Sequence, residues 1–122
     1  MKRRAGSPEA AIRIANLEVG RPTVHEALGQ LDQELAAARR QGCGLVKLIH
    51  GYGSSGAGGD LRIAVQRRLV DLARDGQIRA CIFGEDWAKS DERSWKLLQA
   101  RPELKEDRDL GRRNLGITIV AL

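Results

Sequence analysis

Residues 45 to 65 read LVKLIHGYGSSGAGGDLRIAV, and their reading decides the fold. Leu45, Val46, Leu48 and Ile49 form an apolar run broken only by Lys47, the pattern of a strand covered on both faces. Five glycines then fall within the nine residues from Gly51 to Gly59. Without Cβ atoms such positions take positive φ and let backbone N–H groups converge on something outside the chain. Asp60 is placed to cap the helix that follows, along which Leu61, Ala64, Val65, Leu69 and Leu72 recur at helical spacing.

A glycine-rich turn between a strand's carboxyl end and a helix's amino end is a ready anion site, because the first helical turn has unpaired N–H donors and the positive end of the macrodipole. His50 at the strand end, the hydroxyls of Tyr52, Ser54 and Ser55, and Arg62 in the first helical turn complete a set able to hold a phosphodiester. Two plainer readings stay open: the glycines serve only tight packing, and His50 is satisfied by a neighbouring carbonyl. The string from Gly51 to Gly56 matches G-x-G-x-x-G, but Gly58 and Gly59 extend the loop beyond it and too little chain follows for a second mononucleotide half. A P-loop is excluded, since no Gly-Lys-Ser/Thr follows.

Upstream, Ala11 to Leu17 alternates as a first strand, with Ile12 and Ile14 on one side and Arg13 on the other. Gly20, Arg21 and Pro22 turn the chain, and Thr23-Val24-His25-Glu26 reads as a capping box. Val24, Ala27, Leu28, Leu31 and Leu35 then form an apolar stripe that stops at Gly42. Downstream, Arg67, Arg68 and Arg74 belong to a solvated helix face that ends near Gly76. Ile78 to Phe83 is a third strand, so strand-helix-strand-helix-strand predicts parallel pairing through right-handed crossovers. Ser90 to Ala100 is expected as a short helix with Trp95 and Leu98 inward, Glu103 to Arg113 as charged surface, and Ile117 to Leu122 as the last strand.

The chain of 122 residues suits a single domain over 11–122, preceded by a flexible basic arm over 1–10. Aromatics make up only 3%, so the core must be aliphatic. No apolar run approaches the roughly 18 residues that span a bilayer, which makes a cytoplasmic protein the expectation and a membrane partner an unexpected one. Cys43 and Cys81 lack a CxxC partner and read as small core residues in a reducing compartment. His25 is the only other histidine, so no metal-ligand cluster is predicted. Residues 1–82 carry 13 Lys and Arg against 8 Asp and Glu, while 83–122 carry 8 against 8. The excess of +5 therefore belongs to the part with the glycine loop, and it favours polyanionic partners.

His50-Gly51-Tyr52-Gly53, the apolar strand before it and Leu61-Arg62-x-Ala64-Val65 after it together resemble the Smr (small MutS-related) domain. Thr23, Val24, Glu26 and Ala27 match the start of that family's first helix, and Gly116 to Leu122 is similar to its closing Gly-x-x-Ile/Val-Val-x-Leu strand. Where the family has Asp-x-His at the end of the first strand, this chain has Asn16-Leu17-Glu18. The resemblance implies an α/β two-layer sandwich, a four-stranded mixed sheet with two main helices in β-α-β-α-β-β order. A short extra helix before the last strand would lie in an insertion at about 84–113.

By that resemblance the partner is nucleic acid, DNA or RNA, with its phosphates held by Gly51, Tyr52, Gly53, Ser54, Ser55, Gly56, Gly58, Gly59, Arg62 and Lys47. The family includes metal-dependent endonucleases, so phosphodiester hydrolysis with His50 and Glu18 as catalytic groups, assisted by a divalent metal such as Mg or Mn, is one expectation. Loss of Asp-x-His favours the alternative, a catalytically inactive protein-interaction or ribosome-associated adaptor. A small phosphorylated metabolite in the loop is a third.

Overall fold

The structure is a computed structural model that describes residues 12–52 and 57–122; the arm over 1–10 and four expected phosphate ligands, Gly53, Ser54, Ser55 and Gly56, lie outside the described residues. The elements run β1 (Ile12–Asn16), α1 (Val24–Arg40), β2 (Leu45–Ile49), α2 (Ala57–Arg74), β3 (Ala80–Phe83), α3 (Glu92–Ala100) and β4 (Ile117–Ala121). Tight 3-10 turns over Gly84–Asp86 and Pro102–Glu106 flank α3. The capping box at α1 is complete: Thr23 Oγ1 accepts from the Glu26 amide at 3.1 Å and the Glu26 carboxylate accepts from the Thr23 amide at 2.8 Å. Those bonds lower the Glu26 pKa and satisfy two donors that a bare helix end would leave open. Asp60, by contrast, is not a cap, because α2 begins three residues earlier at Ala57 and takes Gly58, Gly59 and Asp60 into its first turn.

The strands form a four-stranded mixed sheet in the order β1-β2-β4-β3. Parallel pairing holds only between β1 and β2, with Ile12 opposite Leu45 and Asn16 opposite Ile49. β4 enters antiparallel between β2 and β3, so the third strand runs in the direction of the first two without touching them. Alternation along the strands then makes two cores. Ala15, Val46, Leu48, Cys81 and Val120 face α1 and α2, packing on Ala27, Leu31, Leu35, Leu61, Val65 and Leu69. Leu45, Ile82, Ile117 and Ile119 face the other way, onto Trp87, Leu98 and Leu104. The segment before β4 thus adds a partial third layer to the two-layer sandwich.

Several expectations change on this second face. Leu98 is buried, but Trp95 is 43% exposed, and the tryptophan that fills the core is Trp87, whose indole N–H donates to Asp107 at 2.9 Å. The stretch from Glu103 to Arg113 is not merely charged surface, since Leu104 is buried and Asp107 and Asp109 hold Lys47 at 2.8 and 2.6 Å. On β1 the covered side is that of Arg13, Ala15 and Leu17, with Arg13 paired to Glu34 of α1 at 2.6 Å, whereas Ile14 is 66% exposed. Cys43 and Cys81 are buried free thiols, and burial pushes the Cys81 thiol up.

Candidate nucleic-acid site

The carboxyl ends of β1, β2 and β3 meet the start of β4 at one end of the sheet, the position where open α/β sheets place ligands. Backbone bonds draw them together. The Leu17 amide donates to Ile49 O at 2.8 Å, and the amides of His50 and Gly51 both donate to Gly116 O, at 2.9 and 3.1 Å. The first two amides of the expected anion cradle are therefore committed inside the protein.

His50 is fully buried on the α1/α2 side of the sheet. Its Nδ1 lies 2.8 Å from Gly51 O and its Nε2 lies 2.9 Å from Thr118 Oγ1. A carbonyl only accepts, so Nδ1 carries the proton; in the neutral ring Nε2 then accepts from the Thr118 hydroxyl. Burial, reinforced by the nearby Arg62 cation, lowers the His50 pKa against the opposing pull of the Gly51 carbonyl and of Glu18 and Glu85. The imidazole is neutral at pH 7 with both nitrogens occupied, which is the plainer of the two sequence readings. In this arrangement it has no free proton or lone pair to offer a leaving group.

Around it stand three charged groups. Gly51 has φ +75°, and the Glu18 carboxylate occupies the space in which a Cβ on Gly51 would stand. The glycine is thus required both by its backbone and by close approach. Glu18 is held there by a turn in which its own amide donates to Asn16 Oδ1 at 2.8 Å, so the Asn16-Leu17-Glu18 departure from Asp-x-His still delivers a carboxylate beside His50. Arg62 donates to Glu85 Oε2 at 2.6 Å, while Arg62 Nε and Glu85 Oε1 are buried with no hydrogen-bond partner among the described residues. Because α2 begins at Ala57, Arg62 lies in its second turn rather than the first, and its guanidinium is half engaged by a carboxylate that the sequence did not point to.

Lys47 is not brought to the site. It faces the second core, where hydrogen bonds to Asp107 and Asp109 outweigh burial and raise its pKa. It acts from behind: Asp109 accepts from Asn114 Nδ2 at 3.0 Å, and Asn114 Oδ1 accepts from the Gly116 amide at 2.9 Å, which fixes the turn that holds His50 and Gly51. Thr118, Glu85, Asn114 and Gly116 are the residues that sequence reading missed. Only Thr118 left a signal, as the one hydroxyl in the apolar string Ile117-Thr118-Ile119-Val120, where a buried polar group needs a partner.

Among the described residues the donor set offers no ready-made cage for a divalent metal. Among the described residues no group of three or more His, Cys, Asp or Glu converges, His50 has no free nitrogen, and Glu85 is paired with Arg62. Among the described residues, too, no helix is long and apolar enough to cross a membrane.

The chain has counterparts among known proteins. The family model described as the Smr domain matches residues 17–82, more than half of the chain. The chain belongs to the Smr domain family. Its structure is similar to the crystal structure of the Smr domain of Thermus thermophilus MutS2, with 26% identity, a TM-score of 0.55, and cover of 90% of this chain and 96% of that one. No curated protein matches it. The match begins at Leu17, inside the altered Asp-x-His position, and ends at Ile82, so the Smr pattern takes in His50, Gly51, Glu18 and Arg62 but not the turn and strand that supply Gly116 and Thr118.

Proposed function

We propose that this Smr domain binds nucleic acid, the phosphate backbone crossing the sheet end that carries His50, Gly51 and Arg62. What carries the reading is Arg62, inside the family match, close enough to His50 to lower its pKa and held by a single carboxylate. Amides of a first helical turn favour an anion, and an arginine held by one oxygen of a single carboxylate can exchange it for phosphate. His50 serves as a bracket that joins β2 to β4 beneath the site rather than as a group that touches the ligand. Binding is tested by titrating labelled RNA and DNA oligonucleotides with the protein at several salt concentrations. Affinity that falls steeply with salt supports phosphate contacts; an affinity for some protein partner that ignores salt, with no oligonucleotide bound, would favour the adaptor reading instead.

A second reading, phosphodiester cleavage, is favoured by the Glu18 carboxylate lodged against Gly51. Hydrolysis would use Glu18 to activate water and would require His50 to leave Thr118 and take up a proton at Nε2, which it could then pass to the departing oxygen. Incubation of RNA and DNA with the protein, beside Glu18→Gln and His50→Ala, decides it: cleavage by the unaltered protein alone assigns an enzyme.

A further inference from the structure

We infer that the ligand of this site is a single-stranded segment, and that Tyr52 is the platform on which one of its unpaired bases stacks. The inference rests on the nucleic-acid reading above and narrows it. Tyr52 is the only tyrosine in the chain, it stands in the variable position of His-Gly-x-Gly, and its side chain is 54% exposed. Its Cδ1 lies against Gly116, where a Cβ would come to 3.3 Å of it, so one part of the ring rests on backbone while much of the rest is open. Stacking on such a ring is indifferent to base identity and is available only to bases not already paired in a duplex.

Two turns border this residue, and each carries an arginine in a conformation that suits glycine. Arg21, whose amide donates to Glu18 O at 3.1 Å, has φ +51°; Glu18 in turn lies on Gly51, next to Tyr52. Arg113, with φ +53°, directly precedes the Asn114–Gly116 turn on which Tyr52 rests. Left-handed backbone is disfavoured for any residue with a Cβ. Both residues are exposed, and neither side chain pairs with a carboxylate among the described residues. Carried on the turns beside Glu18 and Asn114, they are suited to phosphates on either side of a base stacked on Tyr52.

The test compares a labelled single-stranded 12-mer, as RNA and as DNA, with the corresponding duplex. The expected result is tighter binding of the single strand, a loss of about tenfold or more for Tyr52→Leu on the single strand alone, and near-full retention by Tyr52→Phe. With ring-labelled tyrosine the two ring NMR signals of the one tyrosine should shift upfield on binding. Arg21→Gly and Arg113→Gly should keep or raise the melting temperature, since each relieves its backbone, yet weaken binding severalfold and lower the salt slope by about 0.7 each. Equal affinity for duplex and single strand, or Tyr52→Leu binding as tightly as the unaltered protein with the tyrosine signals unmoved, overturns the inference and leaves the nucleic-acid reading standing. Failure of the unaltered protein to bind any of the oligonucleotides overturns both.

Discussion

At the scale of single residues, His50 shows how burial decides what an ionisable group can do. Held between Gly51 O and Thr118, its pKa is depressed below the ordinary value near 6.5. The unfolded chain therefore binds the proton first, and the stability that neutral His50 contributes is whole above about pH 6.5 and is lost as pH falls through the folded value. Melting temperatures should decline from pH 7 to pH 5, and the slope should flatten in His50→Gln. Gly51 carries the opposite lesson, that the absence of a side chain can be the functional feature. Gly51→Ala should cost roughly 1–2 kcal/mol for its left-handed backbone alone, and more because Glu18 must move. In Gly51→Ala with Glu18→Ala, denaturant titration should recover the second part and not the first. The motif made both positions legible in the sequence, but not that His50 would be sealed, since Thr118 lies 68 residues away and no local pattern links them.

At the scale of elements, α2 and the turn after β3 are coupled through Arg62 and Glu85. The pair lies at 2.6 Å with one nitrogen and one oxygen left without partners, so it is a contact that a phosphate can outcompete. Glu85→Gln should free the guanidinium and tighten oligonucleotide binding several times over, and Arg62→Gln should abolish that gain; equal affinities in the three proteins would remove Arg62 from the site. The helices were legible because their signals are local. Thr23 and Glu26 close α1 as the capping box demands, and Gly42 and Gly76, at φ +74° and +77°, follow α1 and α2 where their stripes stop. Asp60 misled because an aspartate in a first turn looks like a cap, and glycines that suggest a loop can also begin a helix. Trp95 misled for a similar reason: periodicity says which residues share a face, not which face is covered.

At the scale of the whole molecule, the sheet is a partition with unlike cores on its two sides. The alternation of β2 sends Leu45 and Lys47 to one and Val46, Leu48 and His50 to the other, so a cation one residue from an apolar run ends up far from the loop it was expected to serve. Lys47→Met should leave Asp107 and Asp109 facing each other without a cation, a loss of about 3 kcal/mol or more in urea unfolding. Parallel strands and two covering helices could be read from the order of elements. The place of β4 could not, because spacing and periodicity say nothing about which neighbours a last strand chooses. That choice has a consequence for how the protein is made. β4 is the last of the four strands to leave the ribosome, yet it is the one that sits between β2 and β3 and donates the Thr118 hydroxyl and the Gly116 carbonyl. A nascent chain stalled before residue 116 has two strands with open edges and an unbracketed histidine, so the sheet end that carries His50 comes into being only once residues 116–121 have emerged.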